Sequence, residues 1–334
     1  MKKLLPALLC CILVISSTVA LVSATSILTV TATSSSNLYN RYTPFMLTGG
    51  LDFYNYAYHQ YPSDALVGLE IQDPTGARTI VRTIRTGDSM PNNITAFIDS
   101  ASLCDIAGNQ KSSILMPTAD NGVVPYYYVH VINNAGIATS MLLTMNVYDS
   151  NGVPVVLTYQ TVNVGPYASS FVRTNFNIDS SAHFGVATAY LNVYSNWPSQ
   201  GGIPYGLEQS FQFTITGGLA FTGTPSVTQS ASGCYNFSCI VPRNAAIGTY
   251  TVYTTANYLG IYGSATTTFQ VALLGDLNND GAVNFKDLTS FVSAYIQYFN
   301  THQFNALIDL NNDGKINFTD LQLFVKDYIV YWSS

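Results

Sequence analysis

The sequence predicts a mostly-β chain: two β-sandwiches, one inserted into the other, followed by a small module of two helices. Three observations carry this. Short runs of alternating apolar and polar residues, separated by turn formers, fill positions 27–271. The chain holds 24 Gly, 13 Pro and 24 Tyr but only 9% charged residues, where about 25% is ordinary for a soluble domain. Finally, residues 276–332 leave the alternation for a helical period and repeat themselves. Composition also narrows function. A chain that is 48% hydrophobic and 13% aromatic is not disordered. With a net charge of −6 and scattered basic residues it offers no cationic patch, which speaks against nucleic-acid binding.

At the N-terminus, Lys2 and Lys3 precede an apolar stretch at 4–15, and Val22-Ser23-Ala24 offers a cleavage site before Thr25. This is the layout of a secretory signal peptide over residues 1–24. The mature chain is therefore expected outside the cell, secreted or at the cell surface, with no membrane span after cleavage. The alternative is an uncleaved anchor, although the apolar stretch is short for a span and Pro6 interrupts it. Three cysteines remain after cleavage: Cys104, Cys234 and Cys239. The last two could bridge only across a bulge or turn, because five steps along a straight strand put them on opposite faces. His59, His130, His183 and His302 are scattered and read as surface or core residues.

Strand-like runs follow at 27–31, 66–71, 127–132, 142–148, 187–193 and 250–253. Turns such as Asp73-Pro74-Thr75-Gly76 and Asp149-Ser150-Asn151-Gly152 separate them, the pattern of antiparallel sandwiches. On the run YYVHVINNAGIATSMLLTMNVYDSNGVPV (127–155), residues 93–217 resemble a CARDB module, an immunoglobulin-like adhesion-related domain. On ALVGLEIQDPTGARTIVRTIRTG (65–87), residues 27–86 look like the first strands of a macroglobulin-type immunoglobulin-like domain. On VPRNAAIGTYTVYTTANYLG (241–260), residues 234–271 look like its last strands, and Gly248-Thr249-Tyr250 suggests a tyrosine corner. Neither flank alone has enough strands to close a sandwich, and together they do. The expected organisation is thus a discontinuous immunoglobulin/macroglobulin-like sandwich (25–92 plus 218–272) around an inserted CARDB-like sandwich (93–217), then a module at 273–334. Three consecutive small domains are the alternative.

Little here suggests catalysis. Glu70 and Glu208 are the only glutamates, and Glu70, in Leu69-Glu70-Ile71, is expected to face solvent. Most other carboxylates lie near turns, where Asp is a common turn former. There is no G-x-S-x-G, H-E-x-x-H or phosphate-binding loop, so the chain reads as non-catalytic. Tyr54, Tyr56, Tyr58, Tyr61 and Trp197 could stack on sugars, while the period-two spacing of Tyr54, Tyr56 and Tyr58 reads as one face of a strand. Asn93-Ile94-Thr95, Asn236-Phe237-Ser238 and Asn317-Phe318-Thr319 are glycosylation sequons.

The C-terminal repeat is the most specific signal. DLNNDGAVNFKDLTSFVSAYIQYF (276–299) and DLNNDGKINFTDLQLFVKDYIVYW (309–332) are identical at 15 of 24 positions. Each copy opens with a 12-residue loop able to surround a hard cation with oxygens from positions 1, 3, 5, 7, 9 and 12. These are Asp276, Asn278, Asp280, the Ala282 carbonyl, Asn284 and Asp287 in the first loop. In the second they are Asp309, Asn311, Asp313, the Lys315 carbonyl, Asn317 and Asp320. Gly281 and Gly314 supply the sharp turn at position 6, and Val283 and Ile316 the inward apolar residue at position 8. Position 12 is Asp where an EF-hand has Glu, so the loop must close more tightly. Two calcium ions are expected. Behind each loop lies a helical stripe: Leu288, Phe291, Val292, Tyr295, Ile296 and Phe299, then Leu321, Phe324, Val325, Tyr328, Ile329 and Trp332. No comparable helix precedes the first loop.

On these residues, 275–334 resemble a type I dockerin, a duplicated loop–helix module that binds calcium and docks onto a cohesin. Thrombospondin-like acidic repeats share the loops but lack the helices. The resemblance implies a docking face at loop positions 10 and 11 and along the helix. Here Phe285-Lys286 and Phe318-Thr319 stand where the family often has Ser-Thr. Copy two carries apolar Leu323 and Val330 where copy one has Ser290 and Gln297, so Phe318, Thr319, Leu323, Lys326 and Val330 are the candidate partner-binding residues. Three functions remain open: a non-catalytic exported protein docked to a cohesin-bearing partner or surface, a carbohydrate-binding accessory of a polysaccharide-degrading complex, or a self-associating surface protein with a calcium-stabilised cap. The domain mix resembles that of archaeal exported proteins.

Overall fold

The structure, a computed structural model, describes residues 26–332 apart from 42, 56–57, 92–93, 117–123, 179–181, 217–231, 243–244, 279, 281, 306 and 311–314, and apart from the side chains of 326, 327 and 330–332. The leader expected at 1–24 lies outside the described residues. In chain order the strands are β1 (Ile27–Ser34), β2 (Leu38–Asn40), β3 (Pro44–Asn55), β4 (Tyr58–Gln60), β5 (Leu66–Gln72), β6 (Arg78–Arg85), β7 (Ala96–Cys104), β8 (Ser113–Leu115), β9 (Tyr126–Asn133), β10 (Thr139–Tyr148), β11 (Pro154–Val164), β12 (Ser169–Asn175), β13 (Gly185–Tyr194), β14 (Gln209–Thr216), β15 (Cys234–Ile240), β16 (Gly248–Tyr258) and β17 (Ile261–Ala272). Helices α1 (Phe285–Thr301) and α2 (Phe318–Trp332) complete the chain. The protein is mostly β with a helical C-terminal module.

The strands form four sheets. β1-β3-β15, with β4 also on β3, faces β2-β17-β16-β5-β6. Between these two sheets lies a core that includes Phe45, Leu47, Phe53, Phe237, Val252 and Phe269. The other two sheets are β11-β10-β13-β14-β8 and β12-β9-β7, closed over Val129, Val131, Met141, Met145, Leu191 and Phe213. Strands from 27–85 and from 234–272 therefore share sheets, through β3 with β15 and β5 with β16. Among the described residues, the intervening strands pair only among themselves. Alternation produces this layering directly: in β9, Tyr127, Val129 and Val131 are buried while Tyr126, Tyr128 and His130 turn outward.

β5 breaks the alternation because both of its faces are covered. Val67, Leu69 and Ile71 enter the first core, while Gly68 and Glu70 face the junction with the second pair of sheets. A Cβ on Gly68 would lie 2.7 Å from the Tyr194 ring and 2.9 Å from Thr255 Oγ1, so only glycine fits. Glu70, expected in solvent, is fully buried. It accepts the Ser199 N–H and hydroxyl at 2.8 Å each and pairs with Arg78 Nε at 3.0 Å. Trp197, a candidate sugar-stacking residue, is buried beneath the Arg78 guanidinium, 4.2 Å away. Close by, buried Arg82 makes a bidentate pair with Glu208, both bonds 2.7 Å, and lies 3.6 Å from the Tyr190 ring. Asn146 Oδ1 accepts the Val81 N–H at 2.6 Å. The junction is thus a polar seam of hydrogen bonds and ion pairs around the small apolar cluster of Val81, Leu142, Tyr194 and Trp197.

Two local expectations resolve simply. Cys234 and Cys239 are both free, at opposite ends of a straight β15, one exposed and one buried. Tyr54 and Tyr58 do not share a strand face: they lie on β3 and β4, paired one residue out of step, with Tyr54 opposite His59 and Tyr58 opposite Asn55, and Tyr56 lies outside the described residues.

Candidate metal centre

The helical module has its own small core. Phe291 of α1 and Phe324 of α2 stack with ring centroids 4.7 Å apart. Val283 and Ile316, the eighth loop residues, are buried against them with Ile308 and Leu310. Each loop is thereby pinned at its waist.

In the first loop, carboxylate oxygens of Asp276, Asp280 and Asp287 lie within 4.8 Å of one another. The backbone folds so as to bring them together. Asp276 Oδ1 and Asn278 Oδ1 both accept the Asp280 N–H, at 3.1 and 2.9 Å. Asp280 Oδ1 accepts the Ala282 N–H at 3.2 Å. Asp287 is fully buried at the third position of α1. Its Oδ1 accepts from Leu277 N and Asn278 N, at 2.9 and 3.2 Å, and its Oδ2 from Asn284 N at 2.9 Å. Asn284 caps α1 by accepting the Lys286 N–H at 2.9 Å. One carboxylate thus closes the loop and starts the helix, which is how an Asp serves where a longer Glu would otherwise reach.

The second loop repeats the clamp. Asp320, fully buried, accepts from Leu310 N at 2.9 Å and Asn317 N at 2.8 Å. Asn317 Oδ1 accepts the Thr319 N–H at 2.7 Å. Asp309 is buried and Lys315 exposed. Asn311, Asp313 and Gly314 lie outside the described residues, as does Gly281 of the first loop.

The donor set fits a hard cation. Three carboxylates converge, and the basic group described beside them, Lys286, reaches Asp280 only at 3.9 Å and is itself exposed. Carboxylates at this spacing repel one another. An oxygen-only set of this density suits calcium better than zinc or copper, which favour nitrogen and sulfur.

The helices correct two expectations. Only one line of each stripe packs inward: Leu288, Phe291 and Tyr295 on α1, and Leu321, Phe324 and Tyr328 on α2. Val292, Ile296 and Phe299, and likewise Val325 and Ile329, are exposed, because a two-helix module has too little interior to bury a wide stripe of both helices. Leu323, expected off the core, is half-buried against it. The inward arc of α2 is wide enough to include it. Phe318 and Thr319 are exposed, and the side chains of Lys326 and Val330 lie outside those described. The outward line of α1 was missed as a surface, although its i, i+4, i+7 spacing was visible.

Residues 274–329 match the family model of the dockerin type I domain. No curated protein matches the chain. Among solved structures, similarity is found to the alkylpurine DNA glycosylase AlkC of Pseudomonas fluorescens, at 10% identity over 36% of this chain and 30% of that one, with TM-score 0.26. The C-terminal domain of wzt is 11% identical over 41% of this chain and 84% of that one, with TM-score 0.30. A β-glucosidase from Listeria innocua is 10% identical over 38% of this chain and 16% of that one, with TM-score 0.25. The chain thus spans under a third of the first and third of these proteins, and likenesses this slight carry no functional argument. No helix among the described residues is long and apolar enough to cross a membrane.

Proposed function

We infer that this is a non-catalytic exported protein whose C-terminal dockerin binds two calcium ions and docks it onto a cohesin-bearing partner or surface assembly outside the cell. The observation that carries this reading is the convergence of Asp276, Asp280 and Asp287 in the first loop, together with the identical carboxylate clamp of Asp287 and Asp320 in both loops. With Asn278, the Ala282 carbonyl and Asn284, the first loop would complete an all-oxygen shell. Asp309, Asn311, Asp313, the Lys315 carbonyl, Asn317 and Asp320 would do so in the second. Calcium, when bound, would supply positive charge among the carboxylates, and the chain's own residues hold the carboxylates in place and start each helix. The upstream part is read as a CARDB-like sandwich inserted in an immunoglobulin-like one, acting as a rigid body that the dockerin attaches. A non-catalytic role is supported by the use of both glutamates in the junction. The docking face would take in Phe318 and Thr319 together with the exposed outer lines of both helices.

Calorimetric titration of the full chain tests the reading. Two calcium ions should bind, and Asp276→Ala and Asp309→Ala should each remove one. Binding to cohesin modules should disappear in chelator. An unchanged stoichiometry in both variants would refute the assignment.

A further inference from the structure

The sheet β12-β9-β7 buries one face in the second core and presents the other outward. On the outward face the register sets Ser100, His130 and Phe171 in one row and Ser102, Tyr128 and Arg173 in the next. Phe171 is 59% exposed. Its ring lies parallel to His130, at 4.3 Å and 17°, and to Tyr128, at 5.2 Å and 14°. The stack is held from its sides. Asp99 Oδ2 lies 3.0 Å from His130 Nδ1. Arg173 donates to the Ile106 carbonyl at 2.8 Å and sits 5.5 Å from the Tyr126 ring.

We propose that this outward face binds a neutral polysaccharide, with Phe171 as the stacking ring and Asp99, Arg173 and the two serines as partners for sugar hydroxyls. A pyranose presents an apolar C–H face bordered by hydroxyls that both donate and accept. The platform presents the complement: an exposed aromatic ring, Phe171 at 59%, bordered by a carboxylate, a guanidinium and small hydroxyls. Its one carboxylate and one guanidinium balance when His130, the third ionisable group of the platform, is neutral, so it favours neither an anionic nor a cationic ligand, and nucleic acid would need a cationic surface. The rings are already parallel and tethered, so little side-chain freedom is lost on binding. The platform belongs to the sandwich and is independent of the docking reading.

The test is affinity electrophoresis of the full chain, in calcium, through gels containing xylan, hydroxyethylcellulose or galactomannan, with alginate as the anionic comparison. At least one neutral glycan should retard the protein. Phe171→Ala should weaken that binding about tenfold, the order expected for losing one aromatic contact, and Tyr128→Ala should weaken it as well. Phe171→Tyr should retain it. Tyr262→Ala, an exposed tyrosine on β17, should leave it unchanged. Retardation by alginate alone, no retardation by any neutral glycan, or equal binding by the folded Phe171→Ala variant would overturn the proposal. So would a dimer in sedimentation that depends on Phe171 and is indifferent to glycan, because the face would then belong to a second copy.

Discussion

Asp280→Asn should stabilise the helical module without calcium and destabilise it with calcium. In the first loop Asp280 shares a cluster with Asp276 and Asp287 whose oxygens lie within 4.8 Å. At that separation two charges repel by about 1 kcal/mol in water-like surroundings and by about 3 kcal/mol at an effective dielectric near 20. Asp280 is exposed, so the lower figure applies, and two pairs give about 2 kcal/mol of relief. Against this, the amide loses the bond that Asn278 Nδ2 donates to Asp280 Oδ2 at 3.0 Å, a cost of about 0.5–1.5 kcal/mol. Lys286, 3.9 Å away on the surface, contributes little. The net gain is about 1 kcal/mol, or roughly 4–8 °C in a module of this size. Calcium reverses the sign. Binding at a thousandfold excess over the dissociation constant stabilises by about 4 kcal/mol per site, and a ligand that has lost its charge forfeits part of that. The assay is thermal unfolding followed by the helical circular dichroism signal, in chelator and in excess calcium. If Asp280→Asn melts below wild type in chelator as well, repulsion is not what the loop must overcome, and the case for a cation fails.

Three further outcomes follow from the sandwiches. Glu208→Gln should destabilise the chain by about 3–5 kcal/mol in denaturant unfolding, because it leaves the buried Arg82 charge uncompensated, whereas pairing Glu208→Leu with Arg82→Met should recover most of the loss. Gly68→Ala should cost about 1–3 kcal/mol by overpacking against Tyr194 and Thr255, read as a lowered unfolding midpoint. Burial pushes the Cys239 thiol up to about 12, so at neutral pH iodoacetamide should label exposed Cys234 quickly and Cys239 only on unfolding, as mass spectrometry would show. Since that folded value is raised, its contribution to stability is intact below the ordinary thiol pKa of about 8.5 and fades as pH climbs toward 12.

What could be read from the chain alone was local in sequence. The strand class followed from alternation, since a strand with one face on a core needs only period two. The helical module followed from a repeat in which loop, turn glycine, position-eight residue and helix all lie within 24 residues. Those interactions span few residues, so spacing alone implies them: Val283 and Ile316 sit in the module core, and the Asp287 and Asp320 clamps reach only three to ten residues back. What packs on a strand's second face was decided by tertiary structure. Leu69-Glu70-Ile71 reads as a half-exposed strand, yet Glu70 is buried because a turn from residues 197–201 lies across it. Trp197 looks like a loop aromatic until Arg78, more than a hundred residues earlier, covers it. The same holds for the stripes of α1 and α2. Periodicity marks which residues share a side of a helix, but the small interior of the module fixes how much of that side is buried, and it leaves Val292, Ile296 and Phe299 in solvent. The stack of Phe171 on His130 and Tyr128 arises only when β12 pairs with β9 in one register, because a shift of β12 by a single residue would put Phe171 on the face opposite the other two rings.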